Sequence, residues 1–287
     1  MMTAESTAVL LLSHGSRDPR AEYVVDELVL AVSRAAGITV RAAYLGFAVP
    51  DATVALQRLA AEGFTSVRVV PLLFAPGYHL THDVPLAVAA SGVTRRMDVS
   101  MAPPLLAGGG RQRDLLLMAL ADRLIAAGAD GRVDALVLAS AGSSSDAARL
   151  YIHELARDLA NAHGIPVMAA FASAAVPSPA QALQTLSEQG MNRPAVASLF
   201  VAPGRLPDSV IAAGTGIPVA GPLGVSPSFV ELLVARAQVL STVSKPASRP
   251  PKCDPWCSTD KVARQAKPAR RPSSWRTRST NPMAPFA

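Results

Sequence analysis

A long internal repeat constrains the fold of this sequence more than any other feature. Gly15 and Gly142 are separated by 127 residues, and the same spacing aligns many other glycines, prolines and serines without a gap. The matched positions are Gly37 with Gly164, Pro50 with Pro177, Gly63 with Gly190, Ser13 with Ser140, Ser16 with Ser143, and Ala75-Pro76-Gly77 with Ala202-Pro203-Gly204. Unrelated α/β units would share only scattered turn residues. The repeat therefore predicts two copies of one unit.

The pattern within each copy predicts the architecture. In the first copy, short aliphatic runs are expected as strands and the longer amphipathic runs between them as helices. The strands are expected at 8–13, 39–44, 66–73 and 97–101, and the helices at 20–35, 51–62, 82–91 and 111–127. This βαβαβαβ order predicts an α/β fold with a parallel sheet and right-handed crossovers. A last helix, opened by Ser226 as N-cap and Pro227, is expected to close the second copy near residue 240.

The predicted organisation is two tandem domains followed by a tail. The N-terminal domain covers 8–127, the degenerate C-terminal repeat covers 128–241, and a basic tail covers 242–287. Residues 245–287 contain ten Lys or Arg and two acidic residues, so the rest of the chain has a net charge of about −2. Rich in Pro, Ser, Arg and Lys, the tail is expected to be disordered. No nucleic-acid partner is expected for the folded domains.

Cysteine usage and hydropathy bear on the compartment. Both cysteines, Cys253 and Cys257, lie in the predicted tail, so no disulfide would brace the core. No basic region precedes the first apolar run, and no run approaches the length of a membrane span. We expect a soluble, cytoplasmic protein with no membrane partner. The tail cysteines are interpreted as an incidental pair, with metal binding as the alternative.

Two histidines of the first copy have no counterpart in the second. His14 follows the first predicted strand and aligns with Ala141, whereas His79 follows the third strand and aligns with Leu206. The carboxyl ends of parallel strands share one edge of a sheet, so the two histidines are expected to converge there. Neutral imidazole binds iron, cobalt and nickel, and two ligands leave open the coordination positions that a metal in transit needs.

The motifs around these histidines resemble those of the sirohydrochlorin chelatases, the class II cobaltochelatases and ferrochelatases. The resemblance covers roughly residues 8–240, because long members of that family are tandem duplications with a degenerate second half. It is carried by Ser13-His14-Gly15-Ser16-Arg17-Asp18-Pro19-Arg20, Ala43-Tyr44-Leu45 with Pro50, Val70-Pro71-Leu72-Leu73, and Gly77-Tyr78-His79 with Asp83-Val84-Pro85.

The resemblance implies an activity and its reactants. Two chelatase-like domains would face each other across a cleft that binds sirohydrochlorin. His14 and His79 would bind the metal and act as catalytic residues in the insertion of Fe²⁺ or Co²⁺, for siroheme or cobalamin biosynthesis. The metal would be a substrate, no tightly bound cofactor is expected, and the fused halves are compatible with a monomer.

One segment departs from the family pattern. Many members read Ala-Phe-Leu-Glu-Leu-Ala-Glu-Pro where this chain has residues 43–50, with Gly46 and Val49 in place of the two glutamates. The first glutamate is a candidate metal ligand or proton acceptor. In its absence His14, His79, water or a substrate carboxylate would accept the protons. The alternative is a non-catalytic carrier of tetrapyrrole or metal.

The expected substrate contacts come from the loops that face the cleft. Sirohydrochlorin carries many carboxylates, for which arginine is a suitable bidentate partner. The candidate substrate-binding residues are Gly15, Ser16, Arg17, Gly77, Tyr78 and Arg205, and Arg20 faces the same cleft. Glycine would also serve turn geometry, Ser16 could cap the next helix, and each arginine could be a surface charge. His82 would lie either beside the metal site or on a solvated helix.

Overall fold

The computed structural model describes residues 6–76 and 79–238, with only the backbone described at residues 79 and 81. The strands are β1 (Thr7–Ser13), β2 (Thr39–Tyr44), β3 (Ser66–Pro71), β4 (Asp98–Met101), β5 (Ala135–Ser140), β6 (Val167–Phe171) and β7 (Pro194–Leu199). The helices are α1 (Pro19–Ala36), α2 (Ala52–Ala61), α3 (Val84–Ser91), α4 (Arg111–Ala126), α5 (Asp146–His163), α6 (Pro179–Glu188), α7 (Arg205–Ala213) and α8 (Pro227–Gln238).

The first copy forms a four-stranded parallel sheet in the order β2-β1-β3-β4. Its central strand, β1, is buried from Ala8 to Leu12 because helices cover both faces of the sheet. The carboxyl ends of β1 and β3 lie side by side, with Leu12 paired to Pro71. The predicted α/β class and parallel sheet are confirmed.

The second copy forms a three-stranded parallel sheet in the order β6-β5-β7. Where a fourth strand would extend this sheet, the backbone makes one bridge, between Val196 and Val219. Backbone details recur at the repeat spacing: Phe47 and Ala174 both have positive φ, at 63° and 57°. Gly15 and Gly142 likewise share a left-handed conformation, at 85° and 91°. The copies therefore share the backbone conformation of these turns, although the second sheet has one strand fewer.

The two sheets share one core. A single cluster of buried side chains contains Val9 and Leu28 from the first copy together with Leu138 and Phe229 from the second. The last helix of each copy crosses over, because α4 packs against β7 while α8 packs against α1 and β3. The described residues consequently form one compact unit. The predicted limits 8–127 and 128–241 mark the two copies of the repeat in the sequence.

Three local details differ from what the sequence patterns suggested. The helix expected at 82–91 begins at Val84, after a π-helical turn over His79–Asp83, because Pro85 lacks an N–H and fits only the first helical turn. Asp18, not Ser16, caps α1 and accepts from the Arg20 N–H. Ser226 precedes α8 as expected, but its buried hydroxyl makes no hydrogen bond within the described residues.

The predicted tail at 242–287, with Cys253 and Cys257, lies outside the described residues. Within the described ranges, no helix combines the length and apolarity needed to cross a bilayer.

Candidate functional site

A cleft of about 510 Å³ lies between the two repeats, at the carboxyl ends of the central strands of both sheets. Its walls are mainly apolar, as is usual for small-molecule binding sites. The apolar side chains that line it include Leu72, Leu73, Phe74, Leu80, Ile152, Phe171, Leu199, Phe200, Val201 and Leu206. Among the described lining residues, the polar side chains come from strand ends, loops and the first turns of helices around this apolar surface. This is where open α/β sheets bind ligands.

His14 reaches the cleft because its loop is tied to the neighbouring loop. The Leu45 N–H donates to the Ser13 carbonyl over 3.0 Å, and the Gly46 N–H donates to the His14 carbonyl over 3.1 Å. The second copy repeats both bonds, from Ala172 to Ser140 and from Ser173 to Ala141. Both copies therefore hold this loop position with the same pair of backbone hydrogen bonds. The first copy has an imidazole there, whereas the second has Ala141.

The orientation of the His14 ring is compatible with metal binding. Its Nδ1 lies 3.2 Å from the Gly15 carbonyl, which can only accept, so Nδ1 carries the proton in this contact. In the neutral ring this places the lone pair on Nε2, an atom that commonly binds metals. The exposed Phe47 ring stacks against His14 with centroids 6.2 Å apart.

His79 follows the same edge of the sheet. Its backbone begins the π-helical turn after β3, and the next residue, Leu80, is buried and lines the cleft. Gly77 and Tyr78 lie outside the described residues. Among the side chains that are described, no group of three or more His, Cys, Asp or Glu could hold a metal ion. A shared His14–His79 site stays a prediction.

Gly15 is required by the turn itself. A Cβ at this position would lie 1.7 Å from the Gly46 carbonyl oxygen, and the backbone is left-handed. Gly142 shows the same clash in the second copy, 1.9 Å from the Ser173 carbonyl oxygen. This geometry accounts for both glycines without any ligand.

The other described first-copy candidates, Ser16 and Arg17, differ in their position relative to the cleft. Ser16 lines the cleft, and its Oγ accepts from the Asp18 N–H over 3.0 Å. The exposed Arg17 guanidinium lies 4.9 Å above the Phe47 ring and outside the cleft lining. Ser16 thus faces the cleft whereas Arg17 does not, and an added Cβ on Gly204 would lie 3.8 Å from Ser16 Oγ.

Arg20 is engaged elsewhere, contrary to the expectation that it faces the cleft. Its Nη2 forms 2.6 Å ion pairs with Asp18 and with Asp208 of the second copy. The Asp18 carboxylate, and then that of Asp208, raises the pKa of Arg20 and keeps it charged. Arg20 thus joins α1 to α7 beside the cleft and is occupied by protein carboxylates.

The second copy provides Arg205 and two residues that the sequence patterns did not identify as site residues. Arg205 is exposed, opens α7 and lines the cleft, as expected. Arg149 of α5 and Ser140 at the end of β5 also line it. A comparison at the repeat spacing could have marked Arg149, because its counterpart is the acidic Glu22.

His82 and the second-copy histidines stand apart from the cleft lining. His82 is exposed within the π-helical turn. His153 is exposed on α5 with its ring edge against Phe171, at a centroid distance of 5.7 Å, and His163 ends the same helix. None of the three side chains is among the residues that line the cleft.

The family model named CbiX matches the chain twice, at residues 8–123 and at residues 135–240. These two segments correspond to the two copies and together cover most of the chain. The likeness to solved structures agrees. SirB from Bacillus subtilis with Fe³⁺ has a TM-score of 0.70 at 18% identity, over 80% of this chain and 94% of that one. At this identity the likeness confirms the fold alone.

Curated relatives match one part of the chain. The sirohydrochlorin cobaltochelatase of Methanothermobacter thermautotrophicus is 34% identical over 77 residues, which is 27% of this chain and 54% of the relative. The sirohydrochlorin cobaltochelatase of Saccharolobus islandicus is 33% identical over 104 residues, or 34% of this chain and 80% of the relative. The chain thus spans about half of the first relative and four fifths of the second.

Proposed function

The chain belongs to the CbiX family, and from this premise we propose that it is a sirohydrochlorin chelatase, a lyase that inserts Fe²⁺ or Co²⁺ into sirohydrochlorin. Siroheme or a cobalamin precursor would be the product. The observation that supports this most directly is the apolar cleft between the repeats, with His14 at its edge. Apolar walls would suit the faces of a flat tetrapyrrole, and an imidazole at one edge could present a metal to the ring nitrogens.

In this proposal His14 and His79 are the metal-binding and catalytic residues. The divalent metal binds the neutral imidazoles and then passes to the four ring nitrogens of the macrocycle, which releases two pyrrole protons. No electron is transferred, and no nucleotide is needed. Few protein ligands favour such a transfer, because a metal held by a complete ligand set would not leave it.

The two protons need an acceptor, and the usual family glutamate is absent. Gly46 has no side chain, and Val49, at the second glutamate position, is an exposed aliphatic residue. His14 can accept one proton after the metal leaves it, and His79 can accept the other. Water or a substrate carboxylate can then carry both protons to solvent.

Substrate contacts are proposed for the residues around the cleft. Gly15 and Ser16 would form the first-copy side together with Gly77 and Tyr78, and Arg205 would form part of the second-copy side. Arg17 would reach the substrate from outside the cleft lining. Gly15 acts by allowing the tight turn that carries His14. The cleft walls would bend the ring and expose the pyrrole nitrogens, so that binding energy lowers the insertion barrier.

We also infer a cytoplasmic monomer. Fe²⁺ and free thiols both persist in a reducing compartment, and the cysteines would need no partner there. The fused copies already bring two chelatase-like units together within one chain. The first copy, 8–127, would carry the metal site, and the degenerate second copy, 128–241, would complete the cleft.

The test is anaerobic absorbance spectroscopy of sirohydrochlorin mixed with the full chain and Fe²⁺ or Co²⁺. The wild type should convert the spectrum to that of the metallated ring faster than buffer does, and a His14→Ala/His79→Ala variant should lose most of this acceleration. His163→Ala, at the exposed end of α5, is the matched control and should behave as the wild type.

Two results would overturn the proposal. Equal rates for wild type, double variant and buffer would remove the enzymatic activity. Stoichiometric binding of sirohydrochlorin or metal without faster conversion would instead identify the chain as a carrier.

A further inference from the structure

Charge is divided unequally between the two sides of the cleft. Among the described residues that line it, the only Arg, Lys, Asp or Glu side chains are Arg149 and Arg205, and both belong to the second copy. At the repeat spacing, the first copy has Glu22 and Tyr78 in their places. The first copy thus presents an imidazole, whereas the second presents two cations.

The Arg149 guanidinium is held in place before any ligand arrives. Its Nη1 donates to the Ser143 carbonyl over 2.7 Å, and its Nη2 contacts the Asp146 carboxylate. The arginine side chain is 27% exposed, whereas that of Asp146 is 88% exposed and points into solvent. The guanidinium is therefore oriented by its own helix end while part of it still faces the cleft.

Ser140 adds a buried hydroxyl to the same side. It ends β5, lines the cleft and is 4% exposed, yet its Oγ has no hydrogen-bond partner within the described residues. The matching Ser13 Oγ in the first copy accepts from the Gly15 N–H over 3.4 Å. A buried hydroxyl without a partner is costly, and a ligand oxygen in the cleft would satisfy it.

Arg205 adds a second cation to this side of the cleft, from α7 instead of α5. It opens α7, is exposed and forms no hydrogen bond or salt bridge with any other described residue. Its guanidinium can thus pair with an incoming anion without breaking an existing ion pair. Arg149 and Arg205 approach the cleft from two helices, as carboxylates around the rim of a macrocycle would require.

We propose that Arg149, Ser140 and Arg205 form a carboxylate-binding subsite in the second copy, which anchors the acidic side chains of the tetrapyrrole. This inference rests on the proposed function and deepens it. The subsite separates two tasks, because the first-copy side of the cleft carries His14, whereas the second-copy side carries the two lining cations, which attract the carboxylates. The second copy would thus lack the metal histidines and instead bind and orient the substrate.

The experiment measures binding of metal-free sirohydrochlorin to the full chain by anaerobic fluorescence titration. Arg149→Gln and Arg205→Gln should each raise Kd about tenfold, and the double variant more, because each loses a charge-assisted hydrogen-bond pair. Arg149→Lys should recover part of the loss. Arg157→Gln, also exposed on α5 but outside the cleft lining, is the matched control and should bind as the wild type.

Two further readouts separate carboxylate recognition from a structural role. Added salt should weaken binding by the wild type more steeply than binding by the double variant. In steady-state insertion, the arginine variants should lose activity mainly through KM. The wild type should bind uroporphyrin with a lower Kd than coproporphyrin, which carries fewer carboxylates. This difference in Kd should be smaller in the double variant.

The outcomes distinguish this subsite from the proposed function. Wild-type insertion with unchanged Kd in both arginine variants would overturn the subsite and leave the chelatase activity standing. Carboxylate-dependent binding that needs both arginines, but without insertion, would support the subsite and overturn the activity. No binding of sirohydrochlorin by the wild type would overturn both.

Discussion

Two glycines meet beside His14, and the backbone requires only one of them. Gly15 is left-handed, and its Cβ would collide with the Gly46 carbonyl oxygen. Gly46 is not in the left-handed region, and a Cβ added to it would meet nothing within 4 Å. Gly46 could therefore be replaced by a residue with a side chain without a backbone clash. The fold does not explain why this chain has glycine where many family members have glutamate.

Gly46→Glu should raise the rate of metal insertion. The backbone N–H of residue 46 binds the His14 carbonyl, so a carboxylate there would start next to the metal-binding imidazole. A positioned carboxylate can bind the metal or accept a pyrrole proton, and general bases of this kind contribute a factor of about 10² or more when well placed. We expect an increase in kcat of about tenfold in the anaerobic absorbance assay.

The matched control is Gly46→Gln, which has nearly the same size and no charge. It should leave kcat near the wild-type value, because an amide neither ionises nor accepts a proton at neutral pH. Equal kcat for the glutamate and glutamine variants would show that the site does not use a carboxylate at this position.

Tyr44, at the carboxyl end of β2, gives a pH-dependent prediction. It is 3% exposed, and burial, with smaller effects from Asp26 and Glu22, raises its pKa to about 12. The unfolded phenol titrates near pH 10. Between these values the unfolded chain loses the proton first, so the stability of the fold must fall as the pH rises from about 10 to 12.

Tyr44→Phe should remove this loss. Denaturant unfolding at pH 9 and pH 11.5 should show the wild type losing about 1 to 3 kcal/mol more than the variant. Tyr23→Phe is the control, because Tyr23 is 67% exposed and stays in contact with water. If wild type and Tyr44→Phe lose the same free energy, ionisation of Tyr44 is not coupled to unfolding.

At the scale of elements, sequence patterns located the strands and helices well. The expected strand at 39–44 matches β2, and the expected helix at 111–127 matches α4 within one residue. Buried parallel strands read as aliphatic runs, and Gly37 or Gly92 ends a helix in a left-handed conformation. These signals are local, so the sequence alone carries them.

The features that sequence patterns did not predict are the packing partners of the helices and the surroundings of particular side chains, which depend on tertiary contacts. Nothing in the apolar period shows that α8 packs on the first sheet and α4 against the second. Likewise, Arg149 reads as an ordinary polar residue in the first turn of α5 until the opposing copy makes its surroundings a cleft wall. Comparing the copies found His14, and it missed Ser140 because a serine occupies both positions.

At the scale of the whole molecule, the exchange of α4 and α8 makes each copy depend on the other. Arg68 of β3 is buried and donates to the Arg236 carbonyl near the end of α8, over 3.4 Å. Arg236 is 2% exposed, and its guanidinium donates to the carbonyls of Leu105 and Ala107. Burial lowers the pKa of Arg236 to about 10, so its carbonyl partners are needed to hold this cation inside.

Splitting the chain at the predicted boundary should therefore give two fragments that fold only together. Residues 1–127 alone would expose the faces of α1 and β3 that α8 covers, and residues 128–241 alone would expose the face of β7 that α4 covers. Each exposed face is apolar, so the separate fragments should aggregate or show no cooperative unfolding. Coexpressed, they should elute as a one-to-one complex with cooperative thermal unfolding.

The complex should also bind sirohydrochlorin, because His14 lies on one fragment and Arg149 on the other, and the cleft exists only between them. Arg236→Ala in the second fragment should weaken the complex, whereas the exposed Arg193→Ala should leave it unchanged. Separate fragments that each unfold cooperatively as monomers would show that a copy is self-sufficient. In that case the shared core would be a docked interface between two independent domains.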